Sequence, residues 1–203
     1  MIILGVNPEI LGWINIGLSA IILVLVLVLS GITKNMKLKT KKLGRKKVSG
    51  ERIYDRELVC QKVAIAVENL SRTKTGALIT FEMEDKFNEI VKSGTMIESP
   101  VSPELLVTIF YPGTRLHDGA VVIRRDELLA ASVYYSPTTK PLTGKYGSRH
   151  RAAIGISEVT DSVTVIVSEE TGRISIAHKG ELVPVSQDKF LTTLEEFLLG
   201  ERE

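Results

Sequence analysis

The sequence lacks several features that would assign it to a common class of protein. Cys60 is the only cysteine among 203 residues, so a disulfide within the chain and a zinc site built on several cysteines are both excluded. The sequence also contains no phosphate-binding P-loop and no dinucleotide-binding fingerprint, the glycine-rich motifs of many nucleotide-binding folds. The length is sufficient for one domain with a sizeable core and an appendage.

Acidic residues are missing from one stretch of the chain, between Lys34 and Lys47. This stretch holds eight of the 26 basic residues, so the rest of the chain has 18 basic residues against 24 acidic ones. The basic charge is therefore local, and the remainder of the chain is net negative. Because proteins that bind long nucleic acids usually carry a basic domain, we expect no nucleic-acid polymer as a partner.

Charged residues are missing from a second stretch, between Ile10 and Ile32. As a helix with a rise of ~1.5 Å per residue, this stretch would extend ~34 Å, enough for the ~30 Å hydrocarbon core of a bilayer. A signal peptide would begin with a basic segment, whereas Glu9 is the only charged side chain before this run. A buried core helix is rarely apolar over such a length. We therefore predict one transmembrane helix within residues 1–33, with Trp13 near the interface.

The basic stretch follows the predicted span directly and forms a juxtamembrane linker over residues 34–50. The positive-inside rule then places the following domain, residues 51–203, in the cytoplasm of a single-pass protein of the cell membrane. The lysines could also bind anionic headgroups, so that residues 10–47 would contact membrane lipids. The alternative is a solvated linker that sets the topology and does nothing else.

Hydrophobic periodicity in residues 51–203 predicts a mixture of helices and strands. Ser102 can cap a helix whose first residue is Pro103. Ser148 can cap another helix that starts at Arg149. Further helices are predicted at 52–70 and 189–199, and strands at 76–81, 121–123, 128–135, 163–167 and 174–177. Because the order has no regular βαβ alternation, the predicted fold class is α/β, a single globular domain with a mixed β-sheet flanked by helices.

The first of three strings that carry candidate chemistry runs from Leu116 to Ala120, just before a predicted strand. A short acid followed by Gly119 lets a ligand approach the backbone closely. His117 and Asp118 offer a nitrogen and oxygens to a divalent metal. The alternative is an Asx-turn with a surface histidine.

The second string, from Gly147 to Ala152, puts Arg149, His150 and Arg151 in the first turn of a predicted helix. Basic residues there oppose the helix dipole and are poor choices for stability. Bound phosphate would reverse this effect, because both the helix N-terminus and the arginine side chains favour anions. The alternative is an exposed basic turn, and the electrostatic mismatch favours phosphate binding.

The third string, from Ser168 to Gly172, places Glu169 and Glu170 at the end of a predicted strand. Clustered acids in this position can complete a metal site. They can equally form the turn of an ordinary hairpin, and this string alone does not separate the two possibilities.

Together, the strings at 116–120, 147–158 and 167–172 resemble the signatures of diadenylate cyclase (DAC, or DisA_N) domains, over about Tyr54 to Leu182. The resemblance implies a DAC-domain fold preceded by one transmembrane helix, as in the single-span CdaM type. It implies a nucleotidyltransferase that condenses two ATP into cyclic di-AMP and two pyrophosphates, with Mn²⁺ or Mg²⁺ as cofactor, at the interface of a permanent or transient face-to-face homodimer. Ser148 stands where the family usually has threonine, and residues 135–145 depart from the family pattern.

The resemblance also implies roles for individual residues, with Asp118 as the acid that helps to activate a ribose 3′-hydroxyl. The implied catalytic residues are Asp118, Gly119, Arg149, His150 and Arg151. The implied ATP-binding residues are Gly76, Ala77, Leu78, Tyr134, Ser148 and Ser168. The implied metal ligands are His117, Asp118 and Glu170.

Three other functions fit parts of the sequence. A catalytically silent, membrane-anchored sensor of ATP or cyclic di-AMP would bind nucleotide without turnover, although it would have little use for a set of metal ligands. A membrane-tethered scaffold would use the three strings for structure and would bind no nucleotide. A nucleotide hydrolase would need a residue that positions water, and the sequence identifies none.

Overall fold

The computed structural model describes Trp13 and residues 17–20, 22–26, 55–142, 144 and 146–200. The chain divides into two units, residues 1–53 and 54–203. The described residues of the first unit are helical and exposed. Across the described part of the chain, no helix combines the length and the apolar character that crossing a membrane requires. More than half of the predicted span, and the whole 34–50 linker, lie outside the described residues.

The second unit contains five helices and seven strands in its described residues, together with a short 3-10 helix at Gln187–Lys189. The helices are α1 (Arg56–Arg72), α2 (Asn88–Val91), α3 (Pro103–Phe110), α4 (Ser148–Val159) and α5 (Phe190–Leu199). The strands are β1 (Ala77–Glu82), β2 (Thr95–Pro100), β3 (Ala120–Arg124), β4 (Glu127–Val133), β5 (Val163–Val167), β6 (Ile174–His178) and β7 (Glu181–Val185).

All seven strands form one mixed sheet in the order β2-β4-β3-β1-β5-β6-β7. β1 and β3 are parallel. β1 and β5 are antiparallel, and so are all the other pairs of neighbouring strands. β1 therefore lies in the middle of the sheet, between the strand that follows the first string and the strand that precedes the third. The first and third strings therefore lie on opposite sides of β1.

Alternate side chains of the central strands pack on opposite faces of the sheet. On one face, Ile79 packs in a cluster with residues of α1, α3 and α5, such as Val63, Leu106 and Leu194. On the other face, Leu78 packs in a smaller cluster with residues of α2 and α4, such as Ala153. Both faces are therefore buried by helices. The prediction of a mixed sheet flanked by helices is confirmed.

The structure differs from the sequence prediction in a few places. Ser148 is the first helical residue of α4 and not its cap, because the extended backbone of Gly147 (ψ 179°) occupies the cap position with no side-chain hydrogen bond. β4 ends at Val133, two residues before the predicted end. The sequence analysis did not predict α2, β2 or β7. By contrast, the Ser102 hydroxyl accepts a hydrogen bond from the Leu105 amide and caps α3 as predicted.

Candidate active site

A cleft of about 340 Å³ opens between the start of α4 and the end of β5. Residues 144, 146–150 and 167–170 line it, so the second and third strings face each other across the cleft. A larger groove of about 790 Å³ lies between α1 and the 3-10 helix, and none of the predicted site residues lines it. The smaller cleft is therefore the one that contains residues of the predicted site.

Arg149 connects all three strings. Its Nη1 donates a hydrogen bond of 2.6 Å to the Glu169 carboxylate, and its Nη2 donates a longer one of 3.4 Å to the backbone carbonyl of His117. Gly76, just before β1, lies directly against the guanidinium, because a Cβ added there would be 2.7 Å from Nη1. The buried Nε of Arg149 has no hydrogen-bond partner among the described residues. The guanidinium is thus fixed at the junction of the three strings, while its Nε donor stays unused within the described part of the chain.

Asp118 presents an exposed carboxylate on the turn that leads into β3. One carboxylate oxygen accepts from the Gly119 amide at 3.1 Å, and the other accepts from the Tyr134 hydroxyl at 3.3 Å. Gly119 has a φ of 87°, and a Cβ there would be 2.9 Å from the backbone of Ser132 and Val133. Only glycine fits this position, which explains why the Asp-Gly pair occurs here.

The His117 ring is held by the backbone in a way that suits a metal ligand. Its Nδ1 lies 2.5 Å from the Thr114 carbonyl oxygen, a contact in which Nδ1–H donates and Nε2 keeps its lone pair. His117, Asp118 and Glu170 together offer imidazole and carboxylate donors, which suit Mn²⁺. Within the described part of the chain, however, no three histidine, cysteine, aspartate or glutamate side chains lie close enough to share an ion. The predicted ligand set stays a prediction.

His150 lies half-buried in the cleft beside an aromatic ring. Burial lowers the pKa of its imidazole, and the Glu170 carboxylate opposes that shift. The ring of Tyr146 packs against it with centroids 5.5 Å apart and planes at 51°. The lowered pKa favours the neutral imidazole, in which one ring nitrogen donates a hydrogen bond and the other accepts one.

Comparison with known proteins decides the family. A family model described as DisA bacterial checkpoint controller nucleotide-binding (DAC) matches residues 64–182, more than half of the chain. The chain belongs to the DAC family. The resemblance predicted from the three strings is confirmed.

The DAC domain is similar to the cyclic di-AMP synthase CdaA of Bacillus subtilis, with 44% identity over 123 residues, which are 60% of this chain and 45% of that protein. It is also similar to a crystal structure of DacA from Staphylococcus aureus, with 41% identity, a TM-score of 0.69, and coverage of 72% of this chain and 99% of the other. A protein from Bacillus cereus described as a hypothetical membrane spanning protein shares 38% identity, with a TM-score of 0.60 and coverage of 62% of each chain.

The match to the curated relatives is partial in length. The chain spans between 45% and 60% of the length of the first curated relatives that it matches. The similarity therefore covers the DAC domain and does not extend over the whole of those proteins.

Five of the predicted site residues line the cleft of the DAC domain, and Glu170 is one of them. Ser148 and Ser168 line it together with Arg149 and His150. The Ser168 hydroxyl accepts from the Thr171 amide at 3.3 Å and so shapes the turn between β5 and β6. The roles of these residues toward ATP stay predictions.

Eight of the predicted site residues are not among those that line the cleft. His117, Asp118 and Gly119 lie on the turn before β3, and Gly76 lies against the Arg149 guanidinium. Arg151 extends toward the loop after β4, where its Nη1 donates to the Thr138 carbonyl at 3.4 Å. Ala77 and Leu78 are buried in β1, on opposite faces of the sheet. Tyr134 is 56% exposed and contacts Asp118 through its hydroxyl. Their predicted contacts with ATP are not tested by this arrangement.

Three residues of the site were not assigned a role from the sequence. Glu169 was noted only as one of two clustered acids, although it is the partner of Arg149. Tyr146 follows the segment that departs from the family pattern, and its aromatic ring one residue before a glycine was the only available signal. Ser132 donates to the backbone carbonyl of Asp118 at 2.7 Å, and no sequence pattern marks it.

Proposed function

We propose that this protein is a diadenylate cyclase, which joins two ATP molecules into cyclic di-AMP and releases two pyrophosphates. The observation that carries the proposal is the contact of Arg149 with all three strings, since its guanidinium lies beside the Asp118 turn. Membership of the DAC family supports it. So do relatives named as cyclic di-AMP synthase or diadenylate cyclase, at 41–45% identity.

The reaction is a nucleotidyl transfer that occurs twice. The ribose 3′-oxygen of one ATP attacks the α-phosphorus of the other and loses its proton. A new P–O bond forms as the bond between the α-phosphorus and the bridging oxygen of pyrophosphate breaks, and pyrophosphate leaves with the bonding electrons. The second transfer occurs in the opposite direction and closes the ring. Such chemistry depends mainly on alignment and on neutralisation of charge.

Residues of this chain supply alignment and charge. Arg149, which is half-buried, would bind the phosphates through its guanidinium. The amides in the first turn of α4 would add to this, because no side chain caps the helix. His150 would donate a hydrogen bond to a phosphate oxygen. Asp118 would orient the ribose 3′-hydroxyl and accept its proton.

The metal proposed for this site is Mn²⁺ or Mg²⁺. His117 through Nε2, together with the carboxylates of Asp118 and Glu170, would hold it. When bound, such an ion lowers the pKa of a coordinated hydroxyl and neutralises phosphate charge. The hydrogen bond from His117 Nδ1 to the Thr114 carbonyl supports this role, since it leaves the lone pair of Nε2 available to a metal.

We propose that catalysis takes place in a face-to-face homodimer, as the family resemblance implies. The cleft of about 340 Å³ is at the lower end of the range of about 300–1,000 Å³ found for small-molecule sites, which supports one nucleotide for each chain. A second copy of the chain would then supply the second ATP. A two-fold dimer would place each Asp118 beside its own ribose and the α-phosphate of the other ATP.

We also propose that residues 10–32 anchor the enzyme in the cell membrane, with the DAC domain on the cytoplasmic side. The support is the absence of charged residues in this stretch and the basic stretch that follows it. The similarity to a protein described as membrane spanning agrees with this proposal. Fractionation of cells that express the chain tests it, since recovery in the soluble fraction would contradict anchoring.

The experiment that tests the function uses the full chain in detergent micelles, incubated with ATP and Mn²⁺ or Mg²⁺. The products are separated and identified by mass spectrometry. Asp118→Asn removes the proposed proton acceptor with little change in volume. Asp188→Asn is the matched control, because Asp188 lines the other groove of the domain.

We expect cyclic di-AMP and pyrophosphate from the wild type and from Asp188→Asn, and no cyclic product from Asp118→Asn. ATP binding without any product, with both metals, would favour the sensor. AMP or ADP as the product would favour the hydrolase. The absence of nucleotide binding by folded protein would favour the scaffold.

A further inference from the structure

The strand opposite the Asp118 turn contains an irregularity at Ser132. Two residues of β4, Ala131 and Ser132, lie opposite Val121 alone, because the register of the β3–β4 pair shifts between Ala120 and Val122. Such β-bulges redirect a side chain and occur often beside active sites. The bulge therefore gives Ser132 a direction that a regular strand would not.

Ser132 has a backbone conformation that is unfavourable for a residue with a side chain. Its φ is 57°, in the left-handed region, which costs about 1–2 kcal/mol for a residue other than glycine. Lys74, Arg125 and Lys179 also have a positive φ, but they lie in turns. Glu98 shares this conformation within a strand, at the register shift of the edge strand β2, whereas Ser132 lies in an interior strand beside the Asp118 turn. Strain of this kind persists where the surrounding structure requires it.

The strained conformation directs the Ser132 hydroxyl to the backbone of the proposed catalytic residue. Its Oγ donates to the carbonyl oxygen of Asp118 at 2.7 Å. The backbone of Ser132 also packs on Gly119, where an added Cβ would be 2.9 Å from the Ser132 carbonyl carbon. Ser132 thus contacts both residues of the Asp118–Gly119 pair, Asp118 through its hydroxyl and Gly119 through its backbone.

We propose that Ser132 is a positioning residue for the cyclase reaction. Its hydroxyl fixes the Asp118 peptide, and this fixes the point from which the carboxylate reaches the ribose hydroxyl. The inference rests on the proposed function of Asp118 but assigns a separate residue, on a separate strand. Since the hydroxyl contacts the backbone of Asp118, it affects the turnover number more than the binding of ATP.

The test uses the full chain in detergent, with two substitutions that separate the hydroxyl from the backbone strain. Ser132→Ala removes the hydroxyl and keeps a Cβ in the left-handed conformation. Ser132→Gly removes the hydroxyl and relieves the strain. Ser99→Ala is the matched control, because Ser99 lies on neighbouring β2 and its buried hydroxyl has no hydrogen-bond partner among the described residues.

We expect both Ser132 variants to lower kcat about tenfold, as for the loss of one aligned hydrogen bond, with KM for ATP changed by less than about twofold. The glycine variant should be at least as stable as the wild type to thermal unfolding. Ser99→Ala should retain kcat, KM and stability. A loss of activity in a protein of unchanged or greater stability is a result that a merely structural serine would not give.

A second measurement does not depend on activity. The Gly119 amide, which donates to the Asp118 carboxylate, should exchange with deuterium faster in Ser132→Ala than in the wild type and in Ser99→Ala. Unchanged kcat and unchanged exchange in Ser132→Ala would overturn the inference. Faster exchange in a chain whose wild type makes no cyclic di-AMP would sink the proposed function and leave the contact with Asp118 supported.

Discussion

Substitution of Gly76 by alanine should lower the catalytic activity of the protein with little effect on its stability. Gly76 immediately precedes β1 and has a backbone conformation that alanine can adopt, since its φ is not among the positive values. A Cβ added there would be 2.7 Å from Nη1 and 3.0 Å from Cζ of Arg149, and 3.0 Å from Cβ of Glu169. The guanidinium therefore has to move.

The size of the effect follows from these distances. An ordinary contact with a Cβ begins at 3.4 Å, so the Arg149 tip must move by about 0.7 Å or more, a displacement close to the ~1 Å that can cost ~10²-fold in rate. We expect kcat/KM to fall about 10- to 100-fold, equivalent to about 1.4–2.7 kcal/mol. Because the atoms that must move are at the end of a long side chain, the free energy of unfolding should fall by less than about 1 kcal/mol.

The assay measures the formation of cyclic di-AMP as a function of ATP concentration, alongside chemical denaturation. Gly200→Ala is the matched control, because nothing lies within 4 Å of a Cβ at Gly200, and it should leave both quantities unchanged. Wild-type kcat/KM in Gly76→Ala would refute the idea that the guanidinium must occupy its observed position. An equal loss of activity and stability would instead indicate damage to the sheet.

Three further predictions concern the stability and reactivity of the DAC domain. Gly155→Ala should lower the free energy of unfolding by about 3 kcal/mol in urea denaturation, because the new Cβ would be 2.1 Å from the Ser136 carbonyl oxygen; wild-type stability would show that α4 can move away at little cost. Arg124→Met should lower the free energy of unfolding by about 3 kcal/mol in the same assay, because the Glu82 carboxylate loses its bidentate partner. The Glu82 side chain is 0% exposed. Unchanged stability would mean that another group compensates for the lost arginine. Burial raises the pKa of Cys60 to about 12, so its thiol should resist alkylation at pH 8 until urea unfolds the protein. The same shift means that the unfolded chain releases this proton first, so stability should decline above about pH 9; rapid alkylation of the folded protein would contradict both statements.

The elements that the sequence predicts correctly are those whose apolar residues are buried regularly. α1 buries Val59, Val63 and Val67 on one face, and β1 and β5 are buried at every position. Both patterns are strong because the central strands are covered on two faces. The DAC motifs lie at the start of β3, the start of α4 and the end of β5, and the family could be identified from them in the sequence.

The missed strands are the two edges of the sheet, where hydrophobic pattern is weak. β2 is mostly exposed, and its register with β4 shifts near Glu98, whose φ is 52°. β7 contains Pro184, which cannot donate to a ladder and is tolerated at an edge. Edge strands are specified by the neighbour that they pair with, and this information is not local in sequence.

The same reasoning applies to contacts within the site. The hydrogen bond from Ser132 to Asp118 depends on a bulge in β4, and the pair between Arg149 and Glu169 depends on α4 packing beside β5. Propensities and motif spacing describe one segment at a time. Contacts that need the register of two segments are therefore visible only in the structure.

The Arg149 pair also explains how α4 tolerates basic residues in its first turn. That turn contains no acidic residue, so its positive side chains and the helix dipole repel each other by a few tenths of a kcal/mol each. The Glu169 carboxylate, reached across the cleft, supplies the missing negative charge. Because the glutamate side chain is 66% exposed, the ion pair stabilises the fold by no more than about 1 kcal/mol. The phosphate proposed to bind here would therefore replace Glu169 at the guanidinium with little loss, while Gly76 and the His117 carbonyl lie against the arginine.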